Sequence, residues 1–136
     1  MVTGASGIKT VAEVDREGVR VVGIANTTTI RAAGRTLKNT TIVAAPSIGD
    51  AMAMMTGGKA DAFALSRDSL PPFVAQLPGS RMVEGGFQFT GVAIAVPKNR
   101  PQGLADATAF IEKAKRSGAI RQAFKRAGLA HLDVAP

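Results

Sequence analysis

The stretch that most constrains the fold is residues 21–29, which read VVGIANTTT. An apolar run rich in β-branched residues is typical of a strand, and here it ends at an asparagine and three threonines. Ile30, Ala33 and Leu37 then follow at helical spacing. The sequence therefore predicts a strand that turns directly into a helix. Threonine is a common N-cap, so the simplest interpretation is a well-capped helix start.

The same helix start is also a candidate anion site. The first N–H groups of a helix have no partner within it, and the helix dipole adds partial positive charge there. A carboxylate or a phosphate fits such a place. The candidate ligand-binding residues, through backbone N–H groups and hydroxyls, are Asn26, Thr27, Thr28 and Thr29.

Strand and helix patterns alternate along most of the chain. Strands are predicted over residues 20–25, 41–45, 61–65, 81–83 and 91–96. Helices are predicted over residues 28–37, from the Ser47 cap to Gly57-Gly58, in a short segment capped by Ser69, and over 101–115 and 119–126. This alternation is typical of an α/β domain with a largely parallel sheet.

Ligands bind beyond the carboxyl ends of the strands in sheets of this kind. The loop after the predicted strand at residues 61–65 therefore adds three candidate ligand-binding residues, Ser66, Arg67 and Asp68. Two polar clusters at the same edge of the sheet favour a binding site over a helix cap alone.

The net charge of +7, from 17 Lys and Arg against 10 Asp and Glu, raises nucleic acid as a partner. Six of the basic residues lie within residues 113–126, where Glu112 is the nearest opposing charge. No aromatic residue is interleaved on their polar faces, and no DNA-binding motif is present. A solvated helix face is expected here, and no nucleic-acid partner.

Composition disfavours thiol, imidazole and metal chemistry. The chain has no Cys, and its one His is His131. A histidine metal site or a Ser-His-Asp triad is therefore not expected, and neither is a cofactor. No apolar run approaches the roughly 20 residues that span a bilayer. Residues 1–10 lack a basic region followed by a long apolar core, so no signal peptide is predicted there.

Three stretches together resemble the second half of family 3 extracellular solute-binding proteins, the amino-acid receptors of ABC transporters. Residues 10–29, TVAEVDREGVRVVGIANTTT, resemble the start of the family's second lobe. Residues 47–70, SIGDAMAMMTGGKADAFALSRDSL, resemble its helix, glycine-rich stop and DAF strand. Residues 91–129, GVAIAVPKNRPQGLADATAFIEKAKRSGAIRQAFKRAGL, resemble its return strand, Pro-Lys turn and closing helix pair.

The resemblance implies a periplasmic binding protein-like second lobe, with a mostly parallel sheet, flanking helices, and a C-terminal strand and two helices. It divides the chain into a hinge-like segment over residues 1–9, a second-lobe α/β domain over 10–90, the return strand and helix pair over 91–129, and a tail over 130–136. A first lobe would then precede Met1. The implied function is periplasmic solute binding for an ABC permease, without catalysis.

The resemblance also assigns roles to candidate site residues. The positions of Thr28 and Thr29 hold a ligand carboxylate in the family, through N–H groups and hydroxyls. The position of Ser66 is usually an Asp that pairs with the α-ammonium group of the ligand. Ser66 is neutral and cannot form that ion pair, and Asp68 lies two residues further on. The expected ligand is a small carboxylate or an amino acid, bound between lobes.

Two other functions stay open on the sequence. The same two-lobed fold hosts some dehydratases, but Asp61, Asp68 and Glu84 show no acid–base spacing, and Asp61 is expected to pair structurally. The other is a self-associating α/β module without a ligand. Residues 91–129 carry apolar side chains that cover another lobe in the family. A homodimer or higher oligomer through this region is therefore expected.

Overall fold

The apolar run at residues 20–24 becomes the central strand of a parallel sheet. The structure is a computed structural model that describes residues 1–89, 91–130 and 132–135. The strands are β1 (Arg20–Ile24), β2 (Thr41–Ala45) and β3 (Ala62–Ala64), and their order is β2-β1-β3. Both pairings are parallel, with Val22 opposite Val43 and Phe63. The predicted α/β class with a parallel sheet is confirmed.

The chain divides into two units, Met1–Phe89 and Thr90–Pro136, and the sheet belongs to the first. The helices of the first unit are α1 (Val11–Val14), α2 (Thr28–Thr36), α3 (Ile48–Thr56) and α4 (Pro71–Gln76). Hydroxyl caps accept main-chain hydrogen bonds at the starts of α1, α2 and α3, from Thr10, Thr27 and Ser47. The prediction of Ser47 as an N-cap is therefore confirmed.

The start of α4 differs from its prediction. Its N-cap is Leu70, with no side-chain cap bond, and prolines occupy the first turn. The Ser69 hydroxyl instead accepts a hydrogen bond of 2.9 Å from the Ser66 hydroxyl. The prediction of Ser69 as the cap is wrong, because a proline at the first helical position already lacks the N–H group that a cap would satisfy.

The predicted strand over residues 81–83 is also wrong. The segment forms isolated bridges, in which Arg81 pairs with Val2 and Glu84 pairs with Thr10. Because it contacts one partner residue at a time, no continuous ladder develops. The sequence did not predict α1, whose four residues are too few to show helical periodicity.

Strands β1 and β3 are buried on both faces, which explains the near-continuous apolar sequence of β1, whereas β2 is partly exposed. Successive strand residues point to opposite faces. Val21 accordingly joins one core cluster with Ala33 of α2, while Val22 joins another with Met55 of α3. Phe63 of β3 is 1% exposed in the second cluster, where its ring meets that of Phe73 edge-on, 6.1 Å between centroids.

The start of α2 lies close against β1 at Gly23. A Cβ atom at this position would lie 2.5 Å from Cδ1 of Ile30. Any larger residue would therefore force the Ile30 side chain, whose terminal methyl group lies there, to shift. Gly23 thus allows the Ile30 side chain to pack closely against β1.

The second unit contains α5 (Pro101–Arg116) and α6 (Ala119–Arg126), both close to their predicted bounds. Gly118 separates them with φ at 74°, a left-handed conformation that favours glycine. Neither helix has a buried residue.

The predicted strand over residues 91–96 is wrong, because no residue there belongs to a strand. Within the described part of the chain this segment has no neighbouring strand to complete a ladder. Thr90, His131 and Pro136 lie outside the described residues, and with them parts of the predicted second-lobe domain and of the predicted tail. The division of the chain into hinge-like segment, second lobe, return elements and tail stays a prediction.

Candidate functional site

The two candidate loops leave the same edge of the parallel sheet. β1 and β3 are neighbours with Gly23 opposite Ala64, and both run toward the edge where their carboxyl ends lie. Residues 26–29 follow β1 closely, and residues 66–68 follow β3 closely. The topology therefore brings the two predicted clusters to one place, as expected for a ligand site in a parallel sheet.

Thr27 serves the helix as its cap. Its hydroxyl oxygen accepts from the N–H of Ile30 at 3.3 Å, and the hydroxyl proton goes to the carbonyl of Ile24 at 2.8 Å. With that proton engaged, the Thr27 side chain offers a ligand no hydrogen-bond donor in this arrangement. The simplest sequence interpretation, a capped helix, describes this one threonine well.

Thr28 and Thr29 occupy the first two positions of α2 and differ from Thr27. Among the described residues, no group accepts a hydrogen bond from either N–H. Thr28 is exposed and Thr29 is half-buried. Both N–H groups therefore remain as donors at the positive end of the helix dipole, where an anion is stabilised.

The first turn of α2 contains no acidic residue, whereas α1 has Glu13 and α3 has Asp50. In α3 the Asp50 carboxylate also accepts from the Ser47 hydroxyl at 2.6 Å. Helix α3 thus carries its own anion at its start. The positive end of α2 has no such carboxylate of its own, which distinguishes it from the other capped helices of this unit.

Asn26 and Arg31 complete the surroundings of this helix start. Asn26 has a left-handed φ of 63°, which turns the chain from β1 into α2; asparagine tolerates this conformation better than most residues. Its carbonyl accepts from Nη1 of Arg31 at 3.1 Å. Arg31 therefore adds a positive charge beside Thr28 and Thr29. The sequence alone did not indicate Arg31 as a site residue, although its spacing from Thr28 places it on the same helix face.

The loop after β3 is exposed at Ser66, Arg67 and Asp68. Ser66 donates to Ser69, as noted above. Nη2 of Arg67 donates to the carbonyls of Val83 and Gly85, at 2.9 and 2.6 Å. Arg67 thus ties the segment that follows residue 82 to the carboxyl end of β3. Asp68 forms no ion pair within the described part of the chain.

Asp61 lies on the opposite side of the sheet from the candidate loops, at the amino ends of the strands. Its carboxylate accepts from Nη2, Nε and the N–H of Arg20, each at 2.9 Å. These hydrogen bonds hold the pKa of Asp61 below its ordinary value. Both residues stand at the amino ends of their strands, so this carboxylate is structural, as expected from the sequence, and it lies away from the candidate loops.

Two open grooves mark the surface of the first unit. One, of about 480 Å³, is lined mainly by apolar residues between Thr10 and Phe87. The other, of about 510 Å³, is lined by residues 3, 5–8, 16–19 and 61. Neither groove includes residues 26–29 or 66–68.

Over residues 1–89, 91–130 and 132–135, no helix is long and apolar enough to cross a membrane. The same residues contain no cluster of three or more His, Cys, Asp or Glu side chains that could hold a metal ion.

Comparison with known proteins identifies the fold. No protein-family model and no curated protein matches this chain. The structure is similar to that of a candidate binding component of an ABC transporter from Wolinella succinogenes, solved in complex with lysine. The TM-score is 0.63 and the sequence identity 20%, and the match covers 90% of this chain and 53% of the other. At this identity the similarity shows a shared fold, and it confirms the expected periplasmic binding protein-like lobe. The chain spans about half of that protein's length.

Proposed function

We propose that this chain is the second lobe, with C-terminal elements, of a family 3 solute-binding protein that serves an ABC permease in the periplasm. The observation that carries the proposal is the meeting of two polar loops at one edge of a sheet whose fold is shared with a lysine-complexed binding component.

The ligand we infer is a small carboxylate or an amino acid, held through its carboxylate at the start of α2. The N–H groups of Thr28 and Thr29, the absence of an acidic residue in the first turn and the nearby guanidinium of Arg31 all support an anion there. Ser66 stands where the family usually places the partner of an ammonium group. Its hydroxyl is neutral, so carboxylates that lack an ammonium group are bound at least as well as α-amino acids.

NMR titration of the chain with acetate, succinate, glycine and lysine tests this proposal. We expect weak, millimolar binding that shifts the amide signals of residues 28–31, since one lobe supplies half of the contacts. Thr29→Pro removes one of the two N–H groups in the first turn of α2, where proline is tolerated, and should weaken this binding. The matched control is Gly49→Pro, which removes the second N–H of α3, a helix with its own Asp50. The solute-binding proposal is wrong if no carboxylate at tens of millimolar shifts residues 28–31 or 66–68.

We also propose that the chain self-associates through residues 91–129. Large apolar side chains there are exposed, and the exposed fractions are 94% for Val92, 55% for Ile94, 58% for Leu104 and 63% for Phe110. Burying one such side chain is worth roughly 1.5 to 3 kcal/mol, which favours their association. Sedimentation should detect a dimer or higher oligomer at micromolar concentration, and a stable monomer would refute this part of the proposal.

An enzyme on the same fold is the weaker alternative. Asp61 is engaged with Arg20 at the opposite edge of the sheet, and the carboxylate left in the candidate loops is that of Asp68. A single exposed carboxylate without a paired acid or base is a poor basis for general acid–base catalysis. Turnover of a bound hydroxy acid or amino acid in the titrations above would reverse this order.

A further inference from the structure

The outer side of β2 is a bare main-chain edge. The N–H of Thr41 donates to Val19 at 2.9 Å, and the carbonyl of Ala45 accepts from Ala25 at 2.8 Å. These two bonds show that Thr41 and Ala45 turn their polar groups toward β1. In a parallel ladder, every second residue of a strand bonds to the same neighbour. Ile42 and Ala44 alternate with these inward-facing residues and therefore point their N–H and carbonyl groups outward, away from β1.

No described residue pairs with that outer side of β2, because β2 stands at the end of the strand order. The opposite edge strand, β3, is covered by the first residues of the chain. There, the N–H of Phe63 donates to Met1 at 2.8 Å, and the N–H of Thr3 donates to Asp61 at 3.2 Å. The sheet thus has one protected edge strand, β3, and one edge strand, β2, that is open within the described part of the chain.

Natural proteins usually defend an open edge with lysine, proline or a bulge. The sequence of β2, TIVAA, has neither a charge nor a proline. Its five residues pair with β1 in unbroken register, so no bulge twists the edge away. An undefended edge of this length is a template for another strand.

Residues 91–96, GVAIAV, are a strand-like sequence without a strand partner. They contain no charge and no proline, and their β-branched residues alternate at positions 92, 94 and 96. No hydrogen bond joins them to any described residue. Val92 is 94% exposed, which is the exposure of a side chain in contact with almost nothing.

We propose that residues 91–96 of one copy add as a strand to the β2 edge of a second copy. Each chain carries one unpaired strand sequence and one unpaired edge, of six and five residues, so each copy can both donate and accept. Reciprocal exchange of this kind closes a symmetric dimer and leaves neither edge bare. The proposal rests on the self-association proposed above and names the two segments that meet in it.

Cysteine cross-linking between two differently labelled copies tests the pairing, because the natural chain has no Cys. Chains with Ala44→Cys are mixed with chains carrying one cysteine at position 92, 93, 94 or 95, which covers the possible registers. We expect a heterodimeric disulfide at one or two of these positions after mild oxidation. The matched control replaces Ala44→Cys with Ala53→Cys, an exposed alanine in α3, and should give little product.

Proline variants test the same pairing without cysteines. Ala44→Pro removes an outward N–H and leaves the ladder to β1 intact. The double variant Ala93→Pro/Ile94→Pro removes two neighbouring N–H groups, one of which must face β2 in any register, and because the segment lies outside every helix and strand, it cannot unfold the sheet. Each should weaken the dimer roughly tenfold or more in sedimentation, as expected for a lost ladder bond and a blocked strand. Ala93→Ser, which keeps the N–H, should leave the dimer unchanged.

The outcomes separate this inference from the proposals on which it builds. A dimer that persists in both proline variants, without the mixed disulfide, would refute strand addition while leaving self-association through the helices. A disulfide that forms only within one chain carrying both cysteines, at a rate independent of dilution, would refute the second copy as the partner. Carboxylate shifts at residues 28–31 are expected in either case, so solute binding is tested separately.

Discussion

Strand β1 and residues 91–96 have nearly the same chemistry and opposite fates. RVVGI and GVAIAV are both short, apolar and rich in β-branched residues. β1 pairs on both sides, with β2 and β3, and its three central residues are buried. Residues 91–96 belong to no strand, and five of the six are exposed. A strand sequence thus states a tendency, and the hydrogen-bonding partner decides whether the strand forms.

The helices of the two units differ in the same way. Both α2 and α3 bury residues against the two faces of the sheet. By contrast, α5 and α6 are comparably amphipathic in sequence but have no buried residue. Most helical stability in proteins comes from packing of the apolar face. The first unit should therefore keep its stability when surface residues are substituted and lose it when core side chains are truncated. The second unit should be insensitive to truncation of single apolar side chains.

The largest expected effect contrasts two phenylalanines. Phe63→Ala removes a side chain that is 1% exposed and in contact with Phe73, so it should destabilise the first unit by about 3 to 5 kcal/mol. Phe110→Ala removes one that is 63% exposed and should change the free energy of unfolding by less than about 0.5 kcal/mol. Urea unfolding followed by circular dichroism, at concentrations below those of self-association, measures both. Equal losses would contradict the contrast between the units.

The next effect depends on pH and concerns the buried start of the first unit. The α-amino group of Met1 donates to the carbonyl of Phe63 at 2.8 Å. Burial, and to a lesser extent the charge of Arg67, lower its pKa from 8.0 to about 5. Between these values the unfolded chain binds more protons than the folded one, so stability falls as the pH drops from 8 to 5. A pKa lowered from 8.0 to about 5 corresponds to a loss of folding stability of up to about 4 kcal/mol over this pH range.

N-terminal acetylation is the control for this pH dependence, in a preparation that begins at Met1. The acetylated chain keeps an N–H for Phe63 and cannot titrate there. Its stability should therefore vary much less between pH 8 and 5, and the difference between the two profiles isolates the contribution of the amino group. Parallel profiles for the free and acetylated chains would show that the amino group is solvated in the folded state.

The smallest effect compares one glycine in each strand-like segment. Gly23→Ala places a Cβ against Ile30 and should cost about 1 to 3 kcal/mol. Gly91→Ala meets no atom within 4 Å and should be nearly neutral. Thermal unfolding of the two variants checks the difference. Ile30→Val should restore part of the stability lost in Gly23→Ala, and no restoration would mean that the clash lies elsewhere.

The candidate site was predictable where its signals are local. An apolar run followed by threonines and helical spacing placed Thr27, Thr28 and Thr29 at a helix start, and parallel alternation placed residues 66–68 at the same edge. The engagement of individual side chains was not predictable. Thr27 gives its proton to Ile24, and Arg67 binds carbonyls 16 and 18 residues further along the chain. Arg31 joins the site because the turn at Asn26 presents a carbonyl that accepts a hydrogen bond from its guanidinium.

The sequence by itself determined the succession of elements from β1 to β3, the bounds of β2, the Ser47 cap and the α/β class, because each depends on residues within a few positions of one another. Tertiary structure decided which strands pair, where the Arg20–Asp61 ion pair forms, and which strand-like segment remains without a partner. The physical reason is that a ladder or a buried face requires two segments distant in the chain. The sequence of each segment fixes its hydrogen-bonding groups and its apolar face, and only the fold decides whether a complementary segment packs against it.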